Sequence, residues 1–378
     1  MTLPREQLLE AAARWGTPLY VTDLDAAAAA AHAWRAALPG ALVAYAAKAN
    51  PDPALLRRLA DEGFGFEVVG PVELALALRA GAAPDRIVVN GVGQTDIDLA
   101  DALASGALVN AESLGALDAL LRAPTRGRIG LRVNPALDAA THPHLATGSA
   151  DAKFGIALDE LPAALERLRR PPDSIGAHIG SDITDPEPYG ELTALLVRLA
   201  GETAAERIDL GGGFAGEAEA VASVIRAHVP DTARLIVEPG RSIVAGAGWL
   251  LTRVVRVQAR GHLIADAGMT ELLRPMLYGA RHAVTLVSAG ASIAERSWTL
   301  SGPVCEAGDV LARDVDLGAD AGEGALLAIG EVGAYGAAMA SGYNGRLRPA
   351  EVVIERGELR LSRRRETLED FVARDALA

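Results

Sequence analysis

The chain has one cysteine, Cys305, so it can close no internal disulfide, and a cytoplasmic protein is the default expectation. It has no run of 18 strongly apolar residues, so no membrane-spanning helix is expected. It has no basic excess. Asp and Glu number 49 against 36 Lys and Arg, a net charge of −13, the reverse of the footprint that nucleic-acid binding needs. Its opening, "MTLPREQLLEAAARWG", has acids and no apolar centre, unlike a secretory signal. No Pro/Ser-rich linker or low-complexity tail divides it, so its parts are expected to pack closely. Lysine is nearly absent: Lys48 and Lys153 are the only two, so chemistry that needs a lysine amine has little to choose from.

What is present is a large core and a repeat. Half of the 378 residues are hydrophobic. Short apolar runs recur as "ALVAYAAK" (41–48), "GFGFEVVG" (63–70), "RIVVNG" (86–91), "ALVNAES" (107–113) and "RIGLRVN" (128–134). They continue as "SIGAHIG" (174–180), "RIDLGGG" (207–213) and "RLIVEPG" (234–240). Between them lie helical patterns such as "PDPALLRRLADEG". Eight strand–helix units predict a parallel (β/α)8 barrel over 25–245. Beyond residue 246, "WLLTRVVRVQAR" alternates, and "EVVIERGELRLS" reads as two strands around a turn at Arg356–Gly357. An antiparallel β domain is therefore expected, formed by 1–24 and 246–378.

A barrel gathers its functional residues where its strands end. Here those ends carry Lys48, Glu67, Asn90, Arg132, Asn134, His178, Gly211, Gly212, Gly213, Glu238 and Arg241. The glycines in "RIDLGGGFAG" also match the G-x-G-x-x-G turn of dinucleotide domains. Their place argues otherwise. They end the seventh run and "EPGR" ends the eighth, where barrels bind phosphate, whereas a dinucleotide turn follows its domain's own first strand. The long segment "THPHLATGSADAKFG" (141–155) is expected to be an active-site loop. Its histidines at 142 and 144 flank a proline with no third ligand at usable spacing, so no metal is expected.

A lysine at a strand end can simply carry its ammonium out to water. Partly desolvated, it becomes a nucleophilic amine for an aldehyde. Pyridoxal phosphate (PLP) offers that aldehyde. It needs a phosphate cradle, a stacking group and an acid for its ring nitrogen, and the glycines, His178 and Glu238 offer one of each.

"YAAKANPDPALLRRLA", "HIGS", "DLGGGF", "EPGRSIVAGAG", "DAGMTELLRPMLYGARH", "GPVCEAGDVL" and "GAYGAAMASGYNGRLRPAEV" appear in that order. In them the chain resembles the fold-type III PLP-dependent decarboxylases, a family that includes ornithine and arginine decarboxylases, and follows the diaminopimelate branch closely. The resemblance covers nearly the whole chain. It implies a barrel followed by an antiparallel β domain, and decarboxylation of meso-2,6-diaminopimelate to L-lysine in a homodimer with shared active sites. Lys48 would be the cofactor lysine, Glu67 its neighbour, and His178 the ring-stacking group. Ser181, Gly211, Gly212, Gly213, Gly240 and Arg241 would surround the phosphate, and Tyr335 would close over it. Arg241, Arg274 and Tyr278 would hold substrate carboxylates. Cys305, as proton donor, and Glu306, gripping the distal ammonium, would reach in from the partner subunit. A distal carboxylate matches the bidentate fork of an arginine, so lysine and ornithine would leave Arg274 without its match. The family's "DVVSGGEL" is "EVVGPVEL" here, its glutamine after "HIGS" is Asp182, and its serine after "CE" is Ala307. A decarboxylase of a related amino acid, free or carrier-bound, a PLP-dependent racemase, and a non-catalytic homologue are the alternatives.

Overall fold

The computed structural model describes residues 3–137, 147–149 and 151–376. The histidines at 142 and 144, with the rest of 141–146 and residue 150 of the candidate loop, lie outside these residues. The chain divides into two compact units. One is Ala28–Ile243; the other joins the residues up to Ala27 with those from Val244 onward.

The strands run in chain order as β1 (Leu19–Asp23), β2 (Leu42–Ala46), β3 (Gly65–Val68), β4 (Ile87–Val89), β5 (Leu108–Ala111), β6 (Arg128–Asn134), β7 (Ile156–Ala157), β8 (Ser174–Gly176), β9 (Arg207–Asp209) and β10 (Arg234–Val237). Eight of these, β2 to β6 and β8 to β10, pair in parallel, and the β5–β6 pairing closes them into a barrel. Each matches one of the eight apolar runs. The short β7 adds alongside β6. Ala44, Val88, Leu108 and Ile236 form an apolar cluster in the barrel interior. The closed sheet needs local room. A Cβ at Gly130 would lie 2.0 Å from both Asn110 Oδ1 and Ser174 Oγ, so only glycine fits beside that buried polar pair.

The second unit contains β1 with β11 (Gly248–Gln258), β12 (His262–Ala265), β13 (Val284–Ser288), β14 (Trp298–Ser301), β15 (Val310–Val315), β16 (Leu326–Ile329), β17 (Ala350–Glu355) and β18 (Glu358–Arg363). It is mainly antiparallel, with parallel pairings at β1–β17 and β12–β14. The period-2 alternation of a sheet explains why both faces are apolar. Leu19 and Val21 of β1, with Trp249 and Leu251 of β11, enter one core; Tyr20 and Leu250 enter another. Arg356 and Gly357 sit at φ +53° and +81°, as a two-residue hairpin turn requires. Among the described residues, no helix is long and apolar enough to cross a membrane.

Candidate active site

The segment "AKANPDP" shows how local sequence positions Lys48. β2 ends at Ala46, and Ala47–Ala49 make one tight helical turn. Asn50 Oδ1 accepts from the Asp52 N–H at 3.0 Å. Asp52 then caps the next helix, accepting from Ala54 and Leu55 N–H at 2.8 and 3.1 Å, and Pro53 is its first residue. Such a cap contributes about 1 kcal/mol, so the reversal after Lys48 is locally encoded. Lys48 Nζ donates to Glu67 Oε2, the carboxylate of the adjacent strand. The lysine side chain is about one-third exposed (32%) and Glu67 is buried. Gly240 packs against this turn: a Cβ there would lie 3.0 Å from Ala46 Cβ and 3.1 Å from Ala49 Cβ.

Behind Lys48 lies a buried polar chain. Asn90 Nδ2 donates to Glu67 Oε1 at 3.2 Å and to Glu238 Oε1 at 2.8 Å. Asn110 Nδ2 donates to Asn90 Oδ1 at 2.9 Å and to Asp209 Oδ2 at 3.3 Å, and Ser174 Oγ donates to Asn110 Oδ1 at 2.9 Å. Burial, and then the neighbouring Asp209 carboxylate, hold Glu238 well above the ordinary carboxyl range. Burial also pushes Asp209 up, to about 6.

The three glycines form a loop with no room for side chains. Gly211 and Gly213 adopt φ of +63° and +94°. A Cβ would lie 2.2 Å from Glu238 O at Gly212 and 2.0 Å from Gly180 O at Gly213. Glycine is therefore required by the close approach of neighbouring backbone, and the Gly211 N–H is spent on Asp209 Oδ1 at 3.0 Å. Ser181 precedes Ile183, whose N–H donates to Gly213 O at 3.0 Å, so it travels with this loop. His178 is part-buried. Its Nδ1 accepts from Gly212 N–H at 3.0 Å, which places the proton of the neutral ring on Nε2. Burial, then the charges of Arg132 and Lys48, hold its pKa well below the ordinary value, so the ring is uncharged at neutral pH. Arg241 Nε lies 3.5 Å from Asp182 Oδ1. Asp182 sits at φ +64°, which aspartate tolerates better than most residues.

Two of the strand-end residues have local structural roles. Arg132 pairs with Glu112 at 2.9 Å, and Asn134 anchors the following turn by accepting from Ala136 N–H at 2.9 Å.

The second unit gathers the remaining candidates into two groups. Arg274 is buried, with Tyr278 and Tyr335 ring centroids 5.3 and 5.9 Å from its guanidinium carbon. Cys305 and Glu306 are exposed on the loop between β14 and β15. Cys305 N–H donates to Asn344 Oδ1 at 3.3 Å, and Tyr343 hydroxyl donates to Glu306. Asp309 ties this loop down, accepting from Val304 and Met269 N–H, each at 2.6 Å.

Sequence reasoning missed Asp209 and Asn110. The available signal was a charged or amide residue inside a buried strand, which such residues seldom occupy without a partner.

This barrel mouth has the make-up of a PLP site: an amine on a strand end, a neutral imidazole, a buried acid, and a glycine loop after the seventh barrel strand, where barrels bind phosphate. The residues present fit the cofactor. Residues 24–245 match the family model "Pyridoxal-dependent decarboxylase, pyridoxal binding domain". The chain is similar to the diaminopimelate decarboxylase of Deinococcus radiodurans, at 41% identity over 99% of both chains. It is similar to that of Pseudomonas aeruginosa at 41%, over 97% of this chain and 94% of the other. The crystal structure of the Helicobacter pylori diaminopimelate decarboxylase complexed with L-lysine superposes with TM-score 0.91 at 33% identity, covering 97% of this chain and 98% of that one. The chain belongs to the pyridoxal-dependent decarboxylases and, within them, to the diaminopimelate decarboxylases.

Proposed function

We propose that this chain releases CO2 from meso-2,6-diaminopimelate, leaving L-lysine, with PLP as cofactor. One observation carries the chemistry: a buried acid, Glu238, shares an amide, Asn90, with the carboxylate that holds Lys48. PLP, when bound, supplies an electron sink for the pair left behind by the departing carboxylate. Lys48 presents the amine, and Glu67 holds its proton in place. Glu238 would serve as the acid for the ring nitrogen. His178 lends an uncharged flat face, which avoids placing a second cation beside Lys48. Ser181, Gly211, Gly212, Gly213, Gly240 and Arg241 would hold the phosphate end, and Tyr335 would close over it.

Substrate choice rests on Arg274. A guanidinium that is only 4% exposed gains most from a carboxylate that reaches it. Diaminopimelate has a second carboxylate to offer; lysine and ornithine do not, and so give up that contact. Tyr278 borders the same pocket, Arg241 takes the other carboxylate, and Glu306 takes the distal ammonium. The Cys305 thiol hands a proton to the carbon that has lost its carboxylate.

The working unit is a homodimer, with residues 25–245 as the cofactor domain of one subunit and the partner subunit's Cys305 and Glu306 completing its site. The exposure of both side chains supports that reading. An exposed lone thiol that must stay reduced suits the cytoplasm. Asp182 favours a second reading, a related amino acid as substrate, because it already engages Arg241. The deciding experiment incubates PLP-loaded protein with meso-diaminopimelate and identifies the products. Lysine with equimolar CO2 is expected. Protein that makes no lysine yet decarboxylates a monocarboxylic amino acid overturns the assignment.

A further inference from the structure

We propose that Asp209 and Glu238 form one carboxyl–carboxylate pair that shares a single proton, carried on Glu238, and that Asp209 is the positioning residue that sets the protonation and direction of the ring-nitrogen acid. The positioning role rests on the reading of the barrel mouth as a PLP site; the shared proton does not.

The geometry comes first. Asp209 ends β9 and Glu238 follows β10, and these strands are neighbours. Both side chains are buried, and Gly211 links the two residues, its N–H donating to Asp209 Oδ1 and its carbonyl accepting from Glu238 N–H. A carboxylate can only accept, and Asn90 and Asn110 join three buried carboxyl groups, Glu67, Asp209 and Glu238, to the single ammonium of Lys48, so a proton retained on one of them relieves the charge.

The donors locate it. Asp209 accepts at both oxygens: from Gly211 N–H at 3.0 Å on Oδ1, and from Asn110 Nδ2 at 3.3 Å on Oδ2. Glu238 receives Asn90 at Oε1. The better-supplied anion is Asp209, and the proton rests on Glu238. The two amides cannot supply more. Asn90 Nδ2 already serves Glu67 and Glu238, and Asn110 Nδ2 already serves Asn90 and Asp209.

The surrounding charges agree. Glu67 and Lys48 form an ion pair beside this network, and His178 is neutral. Two further bare carboxylates in this core would be costly. Burial raises Asp209 to about 6 and Glu238 well above the ordinary range, in the direction that favours a retained proton.

The fold makes room for Asp209: a Cβ at Gly176 would lie 2.6 Å from Asp209 Cβ. Asp209 also ties the acid to the phosphate loop. Gly211 donates its N–H to Asp209, and its carbonyl accepts from Glu238 N–H at 2.7 Å.

The test is infrared spectroscopy of the full chain stripped of PLP. A protonated-carboxyl band is expected at neutral pH and should vanish only well above it. The band should be missing from Glu238→Gln and shifted or weakened in Asp209→Asn. Once loaded with PLP, Asp209→Asn should show a displaced pH dependence of its visible spectrum. Its kcat should fall about 10–100-fold, as for loss of a supporting hydrogen bond, and Asp209→Glu should restore part of both. A purely structural role would lower stability without moving the band. A wild-type chain with no such band at neutral pH overturns the proposal, as does Asp209→Asn with unchanged band and spectrum. The cofactor-free arm decides the shared proton even if PLP fails to bind, a failure that would count against the functional reading instead.

Discussion

The barrel mouth and the β14–β15 loop handle reactive groups in opposite ways. In the barrel, Glu67, Asp209 and Glu238 are buried and joined through Asn90 and Asn110 into one network. On the loop, Cys305 and Glu306 face solvent, while the backbone beneath them is held by Asp309. Burial raises the value of each hydrogen bond and makes a missing one expensive, so the barrel group is organised in advance by its own chain. An exposed thiol and carboxylate have no such environment. Their chemistry waits on whatever covers them, which is why a second subunit is proposed there.

The largest effect should come from breaking the barrel side. Lys48→Ala should lose the visible absorbance of bound cofactor and reduce turnover on the order of 10^4-fold or more. Borohydride reduction and peptide mapping of the wild type should find the adduct on Lys48; an adduct on Lys153 would overturn its role.

Arg274→Ala comes next. It should cost about 2–5 kcal/mol in kcat/KM for diaminopimelate, the loss of a buried charge-assisted contact. Its cofactor spectrum should stay intact, since Arg274 belongs to the other unit's set.

The contrast itself can be tested by mixing. Lys48→Ala and Cys305→Ala proteins, each inactive, should regain part of the activity after subunit exchange, because some heterodimers carry one whole site. No recovery despite demonstrated exchange would mean that each chain builds its own site.

The smallest effect is at Asp182. Asp182→Gln frees Arg241 from a part-exposed carboxylate 3.5 Å away. KM should fall by a few-fold at most, since such pairs are worth about 0.2–1 kcal/mol. A rise in KM would show that Asp182 helps to place the substrate.

Much of this was legible in the order of residues. Each apolar run became a barrel strand, and the ends of the first, second, third and eighth brought Lys48, Glu67, Asn90 and Glu238 into one hydrogen-bonded group. "NPDP" announced the turn that presents Lys48, because asparagine, aspartate and proline act through their own backbone neighbours. The glycine loop could be placed from chain order alone, which set aside the dinucleotide reading. Asp182 showed in sequence only as a departure; that it adopts a left-handed conformation and meets Arg241 did not. Asp209 looked like the last residue of a strand, and nothing nearby announced a partner that lies 29 positions further on.

The barrel strands, the caps and turns, and the set of reactive side chains follow from periodicity and local backbone chemistry. The packing of distant strands decided which groups share hydrogen bonds. It brought Asn90 between Glu67 and Glu238, and Asn110 between Asn90 and Asp209. It also joined β1 to β11 and β17 across more than two hundred residues. Those contacts depend on barrel closure and sheet register. A hydrogen bond between distant strands depends on where the strands come to lie, and no local propensity encodes that.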